Sequence, residues 1–283
     1  MLFSKSKMSV KVVTDTSCDL PAGLEQEFDI TSVPLLFLFG DEQFKDKTMS
    51  MAEFWEKAQT VWPKSAAPSS GDFERAFRQA IDAGHQVICI TVTGKLSATY
   101  NSAVIASQRF TPDQVAVVDS TTLAISQGHL VLAAAQAARA GQSLAEVVRT
   151  VEAIRDKLHL YISLDTVQYL VKGGRASKLS GILAGLLKIR PLLGMEDGEL
   201  VLLEKLRGRQ NAKQRLLEMA LEHFPAERVT IAHVACLDEA RELAAGLAAE
   251  SGFPVEAIPI IEVGMALATH GGPGTLGIGV VSP

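Results

Sequence analysis

Three loops carry hydroxyl side chains where an α/β chain could bring them together. "TDTSCDLP" follows a first apolar run, "KSAAPSSGDF" precedes a helical pattern, and "TVTGKLSATYNS" follows the run "VICIT". Ser65, Thr93 and Ser97 fall at strand ends or helix starts, where open α/β sheets place their ligands. Hydroxyl donors suit a carboxylate, though Ser, Thr and Asp at such places also serve as ordinary helix caps and turn residues. His270, in "ATHGGPGTLG", sits between a short helical pattern and a glycine turn that would let a ligand or a partner backbone approach closely. Arg175 lies in the basic turn "KGGRASK", directly before the apolar spacing Leu179, Ile182, Leu183, Leu186, Leu187. A basic turn against a greasy helix suits a polar headgroup with a long tail. It equally suits a core helix with a solvated lead-in loop.

Several chemistries lack their motifs. No G-x-x-x-x-G-K-[ST], G-x-S-x-G or H-E-x-x-H occurs. Asp15 ends the first apolar run, but "DTS" lacks the second carboxylate that a strand-end phosphotransferase would want. "GGPGTLG" resembles a phosphate loop in composition, yet it follows a helix and enters a strand, so no helix N-terminus would face an anion there. Cys18, Cys89 and Cys236 stand far apart and read as reduced thiols, without metal-ligand spacing. A net charge of −5 and 6% aromatic residues argue against a nucleic-acid partner. The N-terminal "MLFSKSK" has no apolar core of signal-peptide length, and Met8 is an alternative start.

The elements that must position these residues are legible in outline. With 283 residues and 47% apolar content, the chain can bury a sizeable core. "VKVVTD", "ITSVPLLFLF", "VICITV" and "VAVVDS" read as strands, the second with Pro34 at an edge or a bulge. Asp19 and Pro21 signal a helix start, and Ser50 with Glu53 has capping-box spacing. "KSAAPSSG" reads as a loop and "DFERAFRQAIDAG" as a helix. Two Ala-rich helices cover roughly 122–139 and 143–157. Strands separated by helices mean a mainly parallel sheet. Beyond it come "HLYISL", two strands joined at Asp197-Gly198 as a hairpin, and further helices alternating with "RVTIAHV", "VEAIPI" and "LGIGVV". The expectation is an α/β protein of two domains. An N-terminal mainly parallel sheet with flanking helices spans 8–160, and a C-terminal mixed sheet spans 161–283.

Together these pieces resemble the DegV family of bacterial fatty-acid-binding proteins, from "VVTDTSCDLP" to "HGGPGTLGIGVV". The most specific stretch is "YLVKGGRASKLSGILAGLLKIRPLL", followed by "DGEL", "KLRGRQNA" and the His-x-Gly-Pro-Gly segment. The resemblance implies a long-chain fatty acid held between the domains, with Ser65 and Ser97 as carboxylate donors and Thr93 and His270 beside them. Arg175 and Arg207 would lie at the headgroup mouth, facing a separate ATP-binding fatty acid kinase subunit that phosphorylates the carboxylate. The apolar helix after Arg175 would help wall the tail. The chain would then be a cytoplasmic carrier with no catalytic residue, cofactor or metal of its own, open to transient contact with a membrane. Three departures stand out. Ser65-Ala66-Ala67-Pro68 replaces the family's Thr-Ser-Gln-Pro, Thr93-Gly94 replaces Ser-Ser, and Ala98 takes a position usually held by Gly. These leave the fold expectation intact and bear on headgroup contacts and acyl preference. The competing reading is a stand-alone α/β phosphotransferase or hydrolase using Asp15 and His270.

Overall fold

Strands β1 (Val10–Asp15), β2 (Thr31–Val33), β6 (Gln86–Thr91) and β7 (Val115–Asp119) form a parallel four-stranded sheet in the order β2-β1-β6-β7. This computed structural model describes residues 9–176 and 189–283. Side chains alternate between the faces, as the pleat requires. Val12, Ile88 and Ile90 pack under α5 (Ala124–Arg139) and α6 (Leu144–Arg155). Val13, Val87 and Cys89 pack with Phe73 and Phe77 of α3 (Ser70–Asp82) and Ala103 of α4 (Thr99–Ser107). Burial on both faces explains why these strands read as continuous apolar runs.

The run 30–39 is not one strand. Pro34 offers no N–H to a ladder, and the chain changes sheet there. β2 ends at Val33, and β3 (Leu36–Phe39) becomes the centre of an antiparallel sheet with β4 (Glu42–Lys45) and β5 (Pro63–Ala66). The stretch expected as a loop therefore begins with an edge strand, in which Ser65 pairs with Phe37. The helix expected from Asp19 starts only at Leu24, as the short α1 (Leu24–Glu27). Asp19 instead adopts a left-handed φ of 42° and is fully buried. The capping box of Ser50 and Glu53 opens α2 (Met51–Ala58) as its spacing indicates.

The second sheet has six strands in the order β10-β9-β8-β13-β11-β12. They are β8 (Leu158–Ser163), β9 (Arg190–Glu196), β10 (Glu199–Leu206), β11 (Arg228–His233), β12 (Ile260–Glu262) and β13 (Leu276–Val281). Only the β11/β12 pair is parallel. β8 lies wholly in this sheet, so the expected division at residue 160 runs through a strand. The hairpin at Asp197-Gly198 is present, with both φ values positive. In "VEAIPI" the chain makes a 3-10 turn at Val255–Ala257 before β12. Helices α8 (Arg209–Leu221) and α9 (Leu237–Ser251) cover one face. The other face turns toward the first half of the chain. There Leu160 and Ala232 share a core with Ile125, Phe37 and Phe54, and with Met265 of α10 (Met265–Gly271). The short α7 (Gln168–Lys172) precedes Arg175. Leu179, Ile182, Leu183, Leu186 and Leu187, expected to wall a tail, lie outside the described residues.

His129 is buried where α5 meets β13, with the Gly279 carbonyl beside it. Burial, then the Arg228 charge, holds its pKa down to about 4. Burial and Arg175 hold His270 at about 3. The folded chain keeps both rings neutral, whereas the unfolded chain protonates them near 6.5. Their stabilisation is complete above pH 6.5 and is lost as pH falls toward the folded values. The Asp19 carboxyl, pushed up to about 7 by burial, acts in the opposite sense over that range. The Asp15 carboxyl, also raised by burial, acts in the same sense as Asp19. Five imidazoles, however, are held below 6.5 (His129, His159, His223, His233 and His270) and outweigh the two carboxyls, so the melting temperature should fall between pH 6.5 and 4.5. His129→Asn should flatten that fall by one proton's worth, about 1.4 kcal/mol per pH unit. Melting curves across pH check this, and an unchanged slope in the variant would contradict it.

Candidate functional site

A cavity lies between the two large sheets and the three-stranded one, with about 980 Å³ of atom-free space counting the part open to solvent. Its walls are mostly apolar, with Leu35, Ile125, Leu160, Leu164, Leu193 and Val263 among them. Residues far apart in sequence meet there because β1 and β6, α5, the six-stranded sheet and α10 all present one end or face to the same space.

The polar lining divides into two sets. Ser17, His233 and Thr275 already have partners within the protein. The Ser17 hydroxyl donates to Asp15 and is 2.9 Å from Gln127 Oε1. His233 Nδ1 accepts from the Cys236 N–H, and Thr275 donates to the carbonyls of Gly271 and Gly272. The second set is Ser65, Ser97, Arg175 and His270, which line the same cavity, Ser65 and His270 in direct contact. Ser65 Oγ lies 2.7 Å from His270 Nε2. Arg175 donates through Nε to the Leu96 carbonyl at 3.1 Å, beside Ser97, and through Nη1 to the Gly173 carbonyl at 2.8 Å. Ser97 Oγ lies 2.8 Å from Thr99 Oγ1 and accepts from the Thr99 N–H at the start of α4.

The ring of His270 has one nitrogen to spare. Nδ1 is buried and, among the described residues, has no hydrogen-bond partner. A proton on Nε2 leaves only a lone pair unpaired, a milder fault than an orphaned N–H. It also places that lone pair in the field of the Arg175 guanidinium. In that tautomer Nε2–H donates to Ser65 Oγ, and the Ser65 hydrogen is free to point at an anion. The guanidinium keeps its charge, although burial lowers the Arg175 pKa. The cluster thus offers hydroxyl donors and one cation at the edge of an apolar cavity.

Four of the six candidate residues therefore come together, and two do not. Thr93 is fully buried but does not line the cavity. Its hydroxyl donates to the Gly198 carbonyl at 2.9 Å and so pins the β9–β10 hairpin. That engagement takes it out of the headgroup set. Arg207 is exposed, and among the described contacts only its backbone carbonyl is engaged, by Asn211. In "KLRGRQNA" the residue that reaches inward is Arg209, which bonds Glu239 and the Gly274 carbonyl in the turn after His270. Nothing local in the sequence separates the two arginines. Asp15 does not line the cavity either. Both of its oxygens are taken up, by Ser17, the Val92 N–H and Gln127. Burial raises its pKa, and the pairing with His270 that the enzyme reading needs is not formed. Among the described residues, no cluster of His, Cys, Asp and Glu suits a metal ion.

This architecture has known counterparts. The family model described as "Uncharacterised protein, DegV family" matches residues 9–283. A DegV domain-containing protein of Clostridium acetobutylicum is 32% identical over 279 residues, covering 96% of this chain and 97% of its own. A fatty acid-binding protein of Thermotoga maritima is 32% identical over 292 residues, covering 96% and 98%. The solved structure of a fatty-acid-binding DegV family protein from Thermus thermophilus superposes with a TM-score of 0.90. It has 29% identity and covers 98% of this chain and all of its own. On matching sequence over nearly its whole length and on matching fold, the chain belongs to the DegV family.

Proposed function

We propose that this chain binds a long-chain fatty acid in the cavity and presents its carboxylate to a separate, ATP-bearing fatty acid kinase. The observation that carries the reading is the cavity's polarity: mostly apolar walls, with Ser65, Ser97, Arg175 and His270 among its few polar lining groups and Ser65 in contact with His270. The similar proteins of Thermotoga maritima and Thermus thermophilus are described as binding fatty acids. A buried carboxylate must be hydrogen-bonded or paired. Each hydrogen bond to it is worth about 1.5–3 kcal/mol. The tail contributes about 0.8 kcal/mol per buried methylene, or about 11 kcal/mol gross for a 16-carbon chain. Association costs remove much of this. The work of the chain itself is to bind, desolvate and orient. Phosphoryl transfer needs a partner, because no phosphate-cradling motif stands at this site. Arg207, exposed and outside the cavity, is the cation this reading offers to the partner. The reading places the carrier in the cytoplasm. Among the described residues no helix is long and apolar enough to cross a membrane.

Mass spectrometry of an organic extract from the purified protein should find about one fatty acid per chain. A nucleotide in place of lipid would overturn the reading. Arg207→Ala should lower kinase-dependent ATP use several-fold and leave lipid affinity unchanged. Arg175→Ala should lower both, since Arg175 lines the cavity. ATP consumption by the isolated chain with fatty acid would restore the stand-alone enzyme reading.

A further inference from the structure

Helix α10 is seven residues long, too short to hold itself together. His270 lies in its last turn and meets Ser65 of β5. Its first turn is gripped from the other half of the chain. The Gly264 N–H donates to Asp19 Oδ1 at 3.0 Å, and the Ala266 N–H donates to Asp46 Oδ1 at 3.1 Å. Both aspartates are buried. Asp46 also accepts from the Thr16 hydroxyl at 2.8 Å, and Thr16 accepts from the Leu35 N–H at 3.0 Å. A Cβ at Gly264 would sit 2.5 Å from Asp46 Oδ2, so the approach is as close as a glycine permits. Asp46 directly follows β4 and Ser65 lies on β5, and both strands pair with β3. One three-stranded sheet therefore holds both ends of α10, about 10 Å apart.

We propose that Asp19 and Asp46 are positioning residues that hold the N-terminal turn of α10, set where His270 meets Ser65, and do so more tightly when Asp19 is ionised. The carboxylates take up N–H groups that a helix start leaves unpaired, and their charge complements the helix dipole. Ionised Asp19 also pairs with Lys47 Nζ at 3.2 Å. Charge-assisted bonds are about twice as strong as neutral ones, so protonation loosens the grip. Burial pushes the Asp19 carboxyl up to about 7, against the pull of Lys47 and with Asp46 adding to the push. The other ionisable groups around it are Cys18 in its own turn and, across a second cavity that Asp19 lines, His129, Glu227 and Arg228. His129 stays neutral near pH 7, because its pKa is held at about 4.

The effect on ligand rests on the fatty-acid reading, whereas the grip does not, so the test has an arm without ligand. In the lipid-free full chain, the His270 imidazole signals are followed by 15N–1H NMR from pH 5.5 to 8.5, with His270→Gln for assignment. His270 does not titrate in that range, so a shift with a midpoint near 7 reports Asp19. Asp19→Asn should abolish the midpoint. Lys47→Met, at a position more than a third exposed, should raise it by about one pH unit or more. This second variant keeps the test decisive if Asp19→Asn fails to fold. Displacement of a fluorescent fatty acid should show affinity several-fold weaker at pH 6 than at pH 8 in the wild type, and independent of pH in Asp19→Asn. His270 signals that stay flat in the wild type, or a midpoint that survives unmoved in both variants, would overturn the proposal. If the NMR behaves as expected and neither protein binds fatty acid, the grip stands and the fatty-acid reading falls.

Discussion

Gly173→Ala should weaken fatty-acid binding at least tenfold while leaving the fold in place. A Cβ at Gly173 would lie 2.1 Å from His270 Nδ1, 2.8 Å from its Cε1 and 2.9 Å from the Tyr169 carbonyl. Gly173 has a φ of −74°, which alanine adopts freely, so the effect is steric rather than torsional. The carbonyl belongs to α7 and cannot yield cheaply, so the imidazole must move. Moving it breaks the 2.7 Å contact with Ser65 and disturbs the group that orients the Ser65 hydroxyl. One hydrogen bond to a charged ligand is worth about 1.5–3 kcal/mol, equivalent to a tenfold to hundredfold loss. Displacement titration measures it, with melting of the lipid-free protein as control. Unchanged affinity would show that His270 and Ser65 do not serve the headgroup.

The contrast between Ser65 and His270 also shows how far the sequence can be read. Each stood out alone, as a hydroxyl before a helix and as a histidine beside glycines. Their contact spans 205 positions, and no local pattern encodes it. The central strands β1 and β6 were legible because burial on both faces forces β-branched runs. The capping box at Ser50 and the Asp197-Gly198 hairpin were legible because their chemistry is local. β5 was not. Its Ser, Ala and Pro composition belongs to a loop, and only pairing with β3 makes it a strand. Thr93 fails as a headgroup donor for a similar reason, since its hydroxyl is claimed by a carbonyl 105 positions away. The aspartate grip on α10 is longer still, at 245 and 220 positions. In the sequence Asp19 resembled a helix start, and Asp46 drew no attention among the charges beside it.

Ala232→Phe should abolish binding of long-chain fatty acids and leave the short-chain remnant of affinity that the headgroup cluster supplies. Ala232 is 6% exposed, lines the cavity from β11 and packs in the core shared by the two halves of the chain. A phenyl ring there occupies space that the tail would need. Each methylene denied burial costs about 0.8 kcal/mol, so the loss should grow with chain length and be greatest for the longest tails. Filling an apolar void adds dispersion contacts, so the lipid-free variant should melt no lower than the lipid-free wild type. The clearest readout is the gap between lipid-loaded and lipid-free melting. A ligand at a hundred times its Kd adds about 2.7 kcal/mol to the native state. That gap should be plain in the wild type and vanish in Ala232→Phe for a 16-carbon acid. Ser65, Ser97, Arg175 and His270 are untouched, so a lost gap locates the tail rather than the headgroup. A variant that keeps both the gap and the chain-length dependence would place the acyl chain outside this cavity.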